Sequence, residues 1–190
     1  HPTSFPTLIT VASLAHHEVC WEMQDNYQKP SYRSRCYICT DKGKHILNIP
    51  IKHLGGAQGR QKYKEVLVEN EYHWQRDHWR TLQTAYRTSP FFEFYEDDIA
   101  PLYAKPYKFL LDFNLETISA VCELLQIDMP ETRTSSYEEE PAGIQDGRFL
   151  VKKKNLSFFD KNIERFIETH TDKRFYNIEN IYERLRVNDN

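Results

Sequence analysis

The sequence predicts an α/β fold: an N-terminal βαβ-like unit with a mixed sheet of about four to five strands, followed by a helical C-terminal half packed on it. Two observations carry this expectation. Short apolar runs that alternate with polar residues recur up to Val68, and from Tyr72 onward the apolar period lengthens to about 3.6 residues. The expected divisions are an α/β core over 1–128, a polar connecting segment over 129–155 and a C-terminal helical segment over 156–190 that packs on the core.

Leu8, Val11, Ala12 and Ala15 recur at helical spacing after Pro6, a residue that suits a first helical turn. Glu18 to Met23 is strand-like, with Val19 and Trp21 alternating against Glu18 and Glu22. A helix feeding a strand this early implies an earlier strand that pairs with it, so most of that first strand is expected to lie before His1. Cys36 to Thr40 and His45 to Ile51 are β-rich runs joined by Asp41-Lys42-Gly43-Lys44, a hairpin signal. Leu54 to Arg60 holds the glycine cluster and reads as a connection, because a phosphate loop needs Gly-Lys-Ser/Thr and a helix after it, whereas Tyr63 to Val68 is again strand-like.

Trp74, His78, Leu82 and Ala85 form one stripe of the next helix, with Gln75, Trp79 and Tyr86 beside it. Ser89-Pro90 restarts a helix, serine suiting the cap and proline the first turn, and Phe91, Phe92, Phe94 and Tyr95 give it an aromatic body. Leu111, Leu115, Ile118, Val121, Cys122 and Leu125 mark the buried face of a third helix. From Met129 to Asn155 the pattern lapses into acidic and basic runs that read as solvated connections. Ile163, Phe166 and Ile167, then Ile178, Ile181, Tyr182 and Leu185, restore amphipathic helix at the end.

Composition narrows the function classes. At 190 residues and 22.7 kDa the chain can bury a core, and aromatics make up 14% of it. A net charge of -3 with pI near 6.3 argues against a general nucleic-acid or membrane-surface binder, so any anion site must be local. No apolar run reaches the length of a bilayer span and no signal-peptide pattern opens the chain, so the expected compartment is the cytoplasm.

The chemistry-bearing residues gather in Gln24 to Ile38. Asn26, Gln28, Lys29, Ser31, Arg33 and Arg35 are interleaved there with Tyr27, Tyr32 and Tyr37, between two apolar runs. Such a loop is either a solvated connection or a binding element for a ligand that carries phosphates or carboxylates and a ring. Within the same stretch Cys36 and Cys39 form C-x-x-C, but a strand points them to opposite faces, which favours packed thiols over a zinc knuckle. His78, with Gln75 one turn before it, is a polar pair on a packing face, either satisfied internally or facing a ligand. No metal-ligand spacing and no hydrolase, Rossmann or zincin signature is present.

Asn26-Tyr27-Gln28-Lys29-Pro30-Ser31-Tyr32-Arg33-Ser34-Arg35-Cys36 and the run from Trp74 to Tyr86 resemble the WbqC-like protein family. Ser4-Phe5-Pro6, the run from Ser89 to Asp98 and Leu111 to Glu116 extend the resemblance to about residues 3–128. The closing segment departs from it: Arg174 to Glu179 stands where related chains carry Gly-Phe-x-x-Asn-Leu. The resemblance implies a bacterial protein of O-antigen or related surface polysaccharide biosynthesis, a glycyl or acyl transferase acting on an amino sugar. The expected roles are Lys29, Arg33 and Arg35 on the diphosphate of a nucleotide sugar or of an activated acyl or aminoacyl donor, and Tyr27 and Tyr32 stacked on a ring, with Trp79 also in the substrate-binding set. Asn26 and Gln28 complete the binding set, and His78 takes the proton of the attacking amine, oriented by Gln75. The rival class is a non-catalytic module that binds a nucleotide, sugar nucleotide or RNA through the same loop, nucleic acid being disfavoured by the net charge. A third possibility is a divergent member that keeps the fold without activity.

Overall fold

Thr7 opens the first helix: its hydroxyl accepts the amide of Thr10 at 3.4 Å, and Val11 and Leu14 turn inward from α1, Leu8–His16. The computed structural model describes residues 1–29, 31–52 and 61–151. The glycine cluster at 54–60, the basic run at 152–154 and the C-terminal helical segment lie outside the described residues. Strand β1 (Arg35–Thr40) pairs antiparallel with β2 (Gly43–Asn48), with Arg35 opposite Asn48 and Thr40 opposite Gly43. The hairpin forms where the sequence places it, because Gly43 adopts a φ of +97° that a side chain disfavours.

Among the described residues this hairpin is the one sheet, so the expected mixed sheet of four to five strands is corrected to two strands and isolated bridges. The other strand-like runs do pair, but briefly. Trp21 bridges Arg133 in parallel, and residues 66–69 lie between 49–52 and 108–110 through the bridges Ile51–Val68 and Leu67–Phe109. Pro50 has no N–H to continue a ladder, and Tyr63–Glu65 coils into a 3₁₀ turn instead of extending. The Trp21 pairing comes from downstream of the helices, where residues 130–134 run beside 21–24 and the Trp21 indole donates to Pro130 O at 3.0 Å.

Three helices complete the fold: α2 (Trp74–Tyr86), α3 (Phe92–Ala104) and α4 (Leu110–Leu124). Ser89-Pro90 precedes α3 by a short turn rather than capping it, and Phe92 alone of the four aromatics at its start is buried, with Phe91 and Phe94 exposed. Helix α4 carries the core: Leu110, Leu111, Phe113 and Ile118 pack inward, and Phe113 meets the rings of Trp74, Tyr103 and Tyr107 at centroid distances of 5.2, 6.1 and 5.0 Å.

At the centre stands a buried cation. Arg33 is 2% exposed, its Nη2 donates to Asp25 Oδ2 at 2.9 Å, and its Nη1 donates to Asn26 O at 3.0 Å. The guanidinium lies 4.8 Å from the centroid of the Tyr63 ring, and Asn114 of α4 donates to Arg33 O at 2.7 Å. Asn114 also donates to the Tyr63 hydroxyl, which in turn donates to Pro2 O at 2.8 Å. His1 completes the group, its Nε2 being 3.1 Å from Asp25 Oδ2.

Two stability outcomes follow from these features. Arg33→Met, which leaves the Asp25 carboxylate without its guanidinium, should lower the unfolding free energy by about 3–5 kcal/mol in urea titrations. Gly43→Ala, which meets open space but an unfavourable φ, should cost about 1–2 kcal/mol in the same measurement.

Candidate functional site: a cation-lined cleft

Where the polar loop runs into β1, a cleft of about 280 Å³ opens on the surface. Lys29, Ser34 and Arg35 form one side, Asn48 to Ile51 the floor, and Glu69 and Tyr72 the far rim. Backbone pairing fixes this layout: Arg35 sits opposite Asn48, Ile49 N donates to Ser34 O at 2.9 Å, and Glu69 N donates to Pro50 O at 2.9 Å. Tyr27 buttresses the near side by donating its hydroxyl to Ser34 Oγ at 2.6 Å while its ring stacks on Tyr63 at 6.3 Å.

The electrostatics of the cleft favour an anion. Partial burial, together with the Arg35 guanidinium beside it, lowers Lys29 below its ordinary 10.5. Arg35 is half-buried, and its Nε–H is enclosed without an acceptor. Two like charges facing one opening repel each other, and an anion between them relieves that repulsion. Glu69 contributes a carboxylate braced by Lys52 at 3.7 Å and by the amide of Glu71 at 3.1 Å.

Of the ten residues that sequence singles out, the cleft brings Lys29 and Arg35 together. Arg33 is two residues from Arg35 but faces the opposite way, into the buried group around Asp25. Tyr32 is buried edge-on against Tyr37 at 5.8 Å, Asn26 is half-buried with its carbonyl on Arg33, and Gln28 is exposed. Gln75 and His78 take different partners. Gln75 Nε2 donates to Lys105 O at 3.3 Å, whereas His78 Nε2 bonds to Asn48 O at 3.0 Å. Since a carbonyl only accepts, Nε2 carries the proton and Nδ1 holds the lone pair of the neutral ring. Trp79 stacks on Tyr103 at 5.9 Å and tilts against Phe92, inside the helix layer.

At the far end of α2 the Tyr86 hydroxyl accepts the amide of Cys39 at 3.2 Å, a second tie between this helix and the hairpin. Cys36 is buried, and burial pushes its thiol up to about 12, so it is a protonated, packed thiol at neutral pH. Among the described residues no group of three or more His, Cys, Asp or Glu side chains is placed to hold a metal ion.

Sequence reasoning misses Glu69 and Tyr72, because they belong to the cleft only through the pairing of 66–69 with 49–52. Tyr72 is 68% exposed at the edge of the helical region, an unusual position for a large ring and the one signal that could have marked it. His1 and Asp25 are likewise missed as partners of Arg33, being joined to it by the fold alone.

The fold and this cleft define an α/β domain in which a hairpin and a helix layer present a locally cationic depression on a chain of negative net charge. The chain belongs to the WbqC-like protein family, whose profile matches residues 12–163. It is 28% identical over 113 residues to the uncharacterized protein Rv1507c of Mycobacterium tuberculosis, a match covering 59% of this chain and 48% of that protein. The chain thus spans about half the length of the relative it matches. No solved structure matches it. No helix among the described residues is long and apolar enough to cross a membrane.

Burial lowers His78 from its ordinary 6.5 to about 4, the hydrogen bond to Asn48 O opposing the shift. An unfolded histidine takes up a proton near 6.5 that the folded one resists down to about 4, so the unfolded state binds more protons in that interval. Stability is therefore fully present above about pH 6.5 and declines as pH falls towards 4, by at most about 3 kcal/mol. Urea midpoints at about pH 7 and pH 4.5 should show this decline, and His78→Gln should flatten it.

Proposed function

We propose that this chain acts in bacterial surface polysaccharide biosynthesis of the O-antigen type, transferring an aminoacyl (glycyl) or acyl group to an amino sugar in the cytoplasm. The observation that carries the reading is the convergence of Lys29 and Arg35 on one cleft with an exposed ring, Tyr72, at its rim. Such a set suits the phosphates of a nucleotide sugar or of an activated donor, with the aromatic face taking a base or sugar. In the transfer, the acceptor amine attacks the activated carbonyl, the new N–C bond forms as the bond to the donor's leaving group breaks, and the nitrogen's proton passes to the departing group or to solvent.

The supporting residues take roles set by their contacts. Arg33 anchors the loop that carries Lys29. His78, expected from sequence as the proton acceptor, is in this reading a positioning residue that holds Asn48 in the cleft floor, and Gln75 steadies the end of α3 through Lys105. The same commitments favour a second reading, a non-catalytic module for a nucleotide, sugar nucleotide or RNA, because they leave the cleft rich in binding groups. An RNA ligand would show affinity falling steeply with salt, whereas a small ligand would respond weakly.

A thermal-shift panel of nucleotide sugars, coenzyme A thioesters and aminoacyl donors tests the proposal. At least one class should raise the melting temperature, and Lys29→Ala/Arg35→Ala should weaken its binding by about tenfold or more without unfolding the chain. No shift with any class, or unchanged affinity in the double variant, would sink the anion site.

A further inference from the structure

The floor of the cleft works as a ruler between its charges. Arg35 lies opposite Asn48, and Glu69 is bonded to Pro50, two residues further along the same extended segment. At an extended rise of about 3.3 Å per residue and about 4.8 Å between neighbouring strands, the backbone positions that carry the cation and the carboxylate are offset by about 7 Å along the segment and by about 10 Å across it, and their side chains reach towards each other over the floor. Arg35 and Glu69 thus flank the floor from opposite sides, and Lys29 lines the same cleft.

Glu69 is also available to a ligand. Its side chain is 20% exposed, and its basic partner, Lys52, is 3.7 Å away and 46% exposed. An ion pair this long, with its lysine half-exposed, contributes little, so a better-placed ammonium can displace Lys52 at small cost. The carboxylate is held in place by the amide of Glu71, so it stays aimed while its basic partner changes.

We propose that Glu69 is the amine-recognising residue of the cleft, and that the ligand class is small amphoteric molecules carrying a phosphate or carboxylate at one end and a primary ammonium several ångströms away. This rests on the reading that Lys29 and Arg35 hold an anion, and adds to it a specificity determinant on the opposite rim. The cleft thereby prefers an anion with an amine over the same anion without one.

Paired probes separate the two ideas. Calorimetric titration of the full chain with ethyl phosphate and with 2-aminoethyl phosphate at low salt should show the amine-bearing probe binding about fivefold tighter. In Glu69→Gln that ratio should fall to about one while ethyl phosphate binds at least as well as before, and Glu69→Asp should retain part of the preference. Equal binding of both probes to the unaltered chain, or an undiminished ratio in Glu69→Gln, overturns the assignment of Glu69 and leaves the anion site standing. If neither probe binds, the anion site falls and this inference falls with it.

Discussion

The fold depends on a buried cation that joins parts of the chain far apart in sequence. Through its guanidinium and its own carbonyl, Arg33 touches Asp25, Asn26, Tyr63 and Asn114, and those partners reach Pro2 and His1. An ionised group taken out of water is unfavourable unless its donors are met in good geometry. Here one carboxylate and one carbonyl meet its terminal nitrogens and one aromatic face lies against its plane, contacts that tie the polar loop to the core while the Nε–H is enclosed without an acceptor. The loop's other cations inherit their positions from that tie.

This creates a division of labour within one short basic run. Arg33 and Arg35 are two residues apart, positions that a continuous strand would turn to the same face, but Arg33 lies in the turn before β1 and Arg35 opens the strand, so one points inward and the other towards the cleft. Both arginines enclose an Nε–H without an acceptor, but the inward one also has acceptors from the protein for its two terminal nitrogens. Residues of the same type thus sit in a buried polar group and at a cleft wall, separated by the turn that leads into β1.

Much of the local structure was legible in the sequence, since it rests on local periodicity. The four helices and the hairpin around Gly43 sit close to where apolar spacing and the glycine place them. The sheet was not legible, because extended runs such as 18–23 and 66–68 look alike whether they form ladders or single bridges, and the choice is made by partners as distant in sequence as Phe109 from Leu67 and Arg133 from Trp21. Helix α1 shows the same limit on a small scale: Leu14 packs inward where the spacing favoured Ala12 and Ala15. The candidate site divides in the same manner. Lys29 and Arg35 announce themselves by composition, but the inward turn of Arg33 and the arrival of Glu69 and Tyr72 depend on long-range pairing that a single sequence does not encode locally.

Helix α2 meets the hairpin at two points, His78 on the end of β2 and Tyr86 on β1. Eight helical residues between them span about 12 Å, so the helix acts as a splint laid along the hairpin. A splinted wall cannot breathe independently of the helix layer behind it. The loop at Lys29 on one side of the candidate cleft and the turn at Tyr72 on the other have no regular element of their own. The candidate cleft therefore has a braced floor, where His78 holds Asn48, between two rims without regular structure, and any adaptation to a ligand's size would fall to the rims.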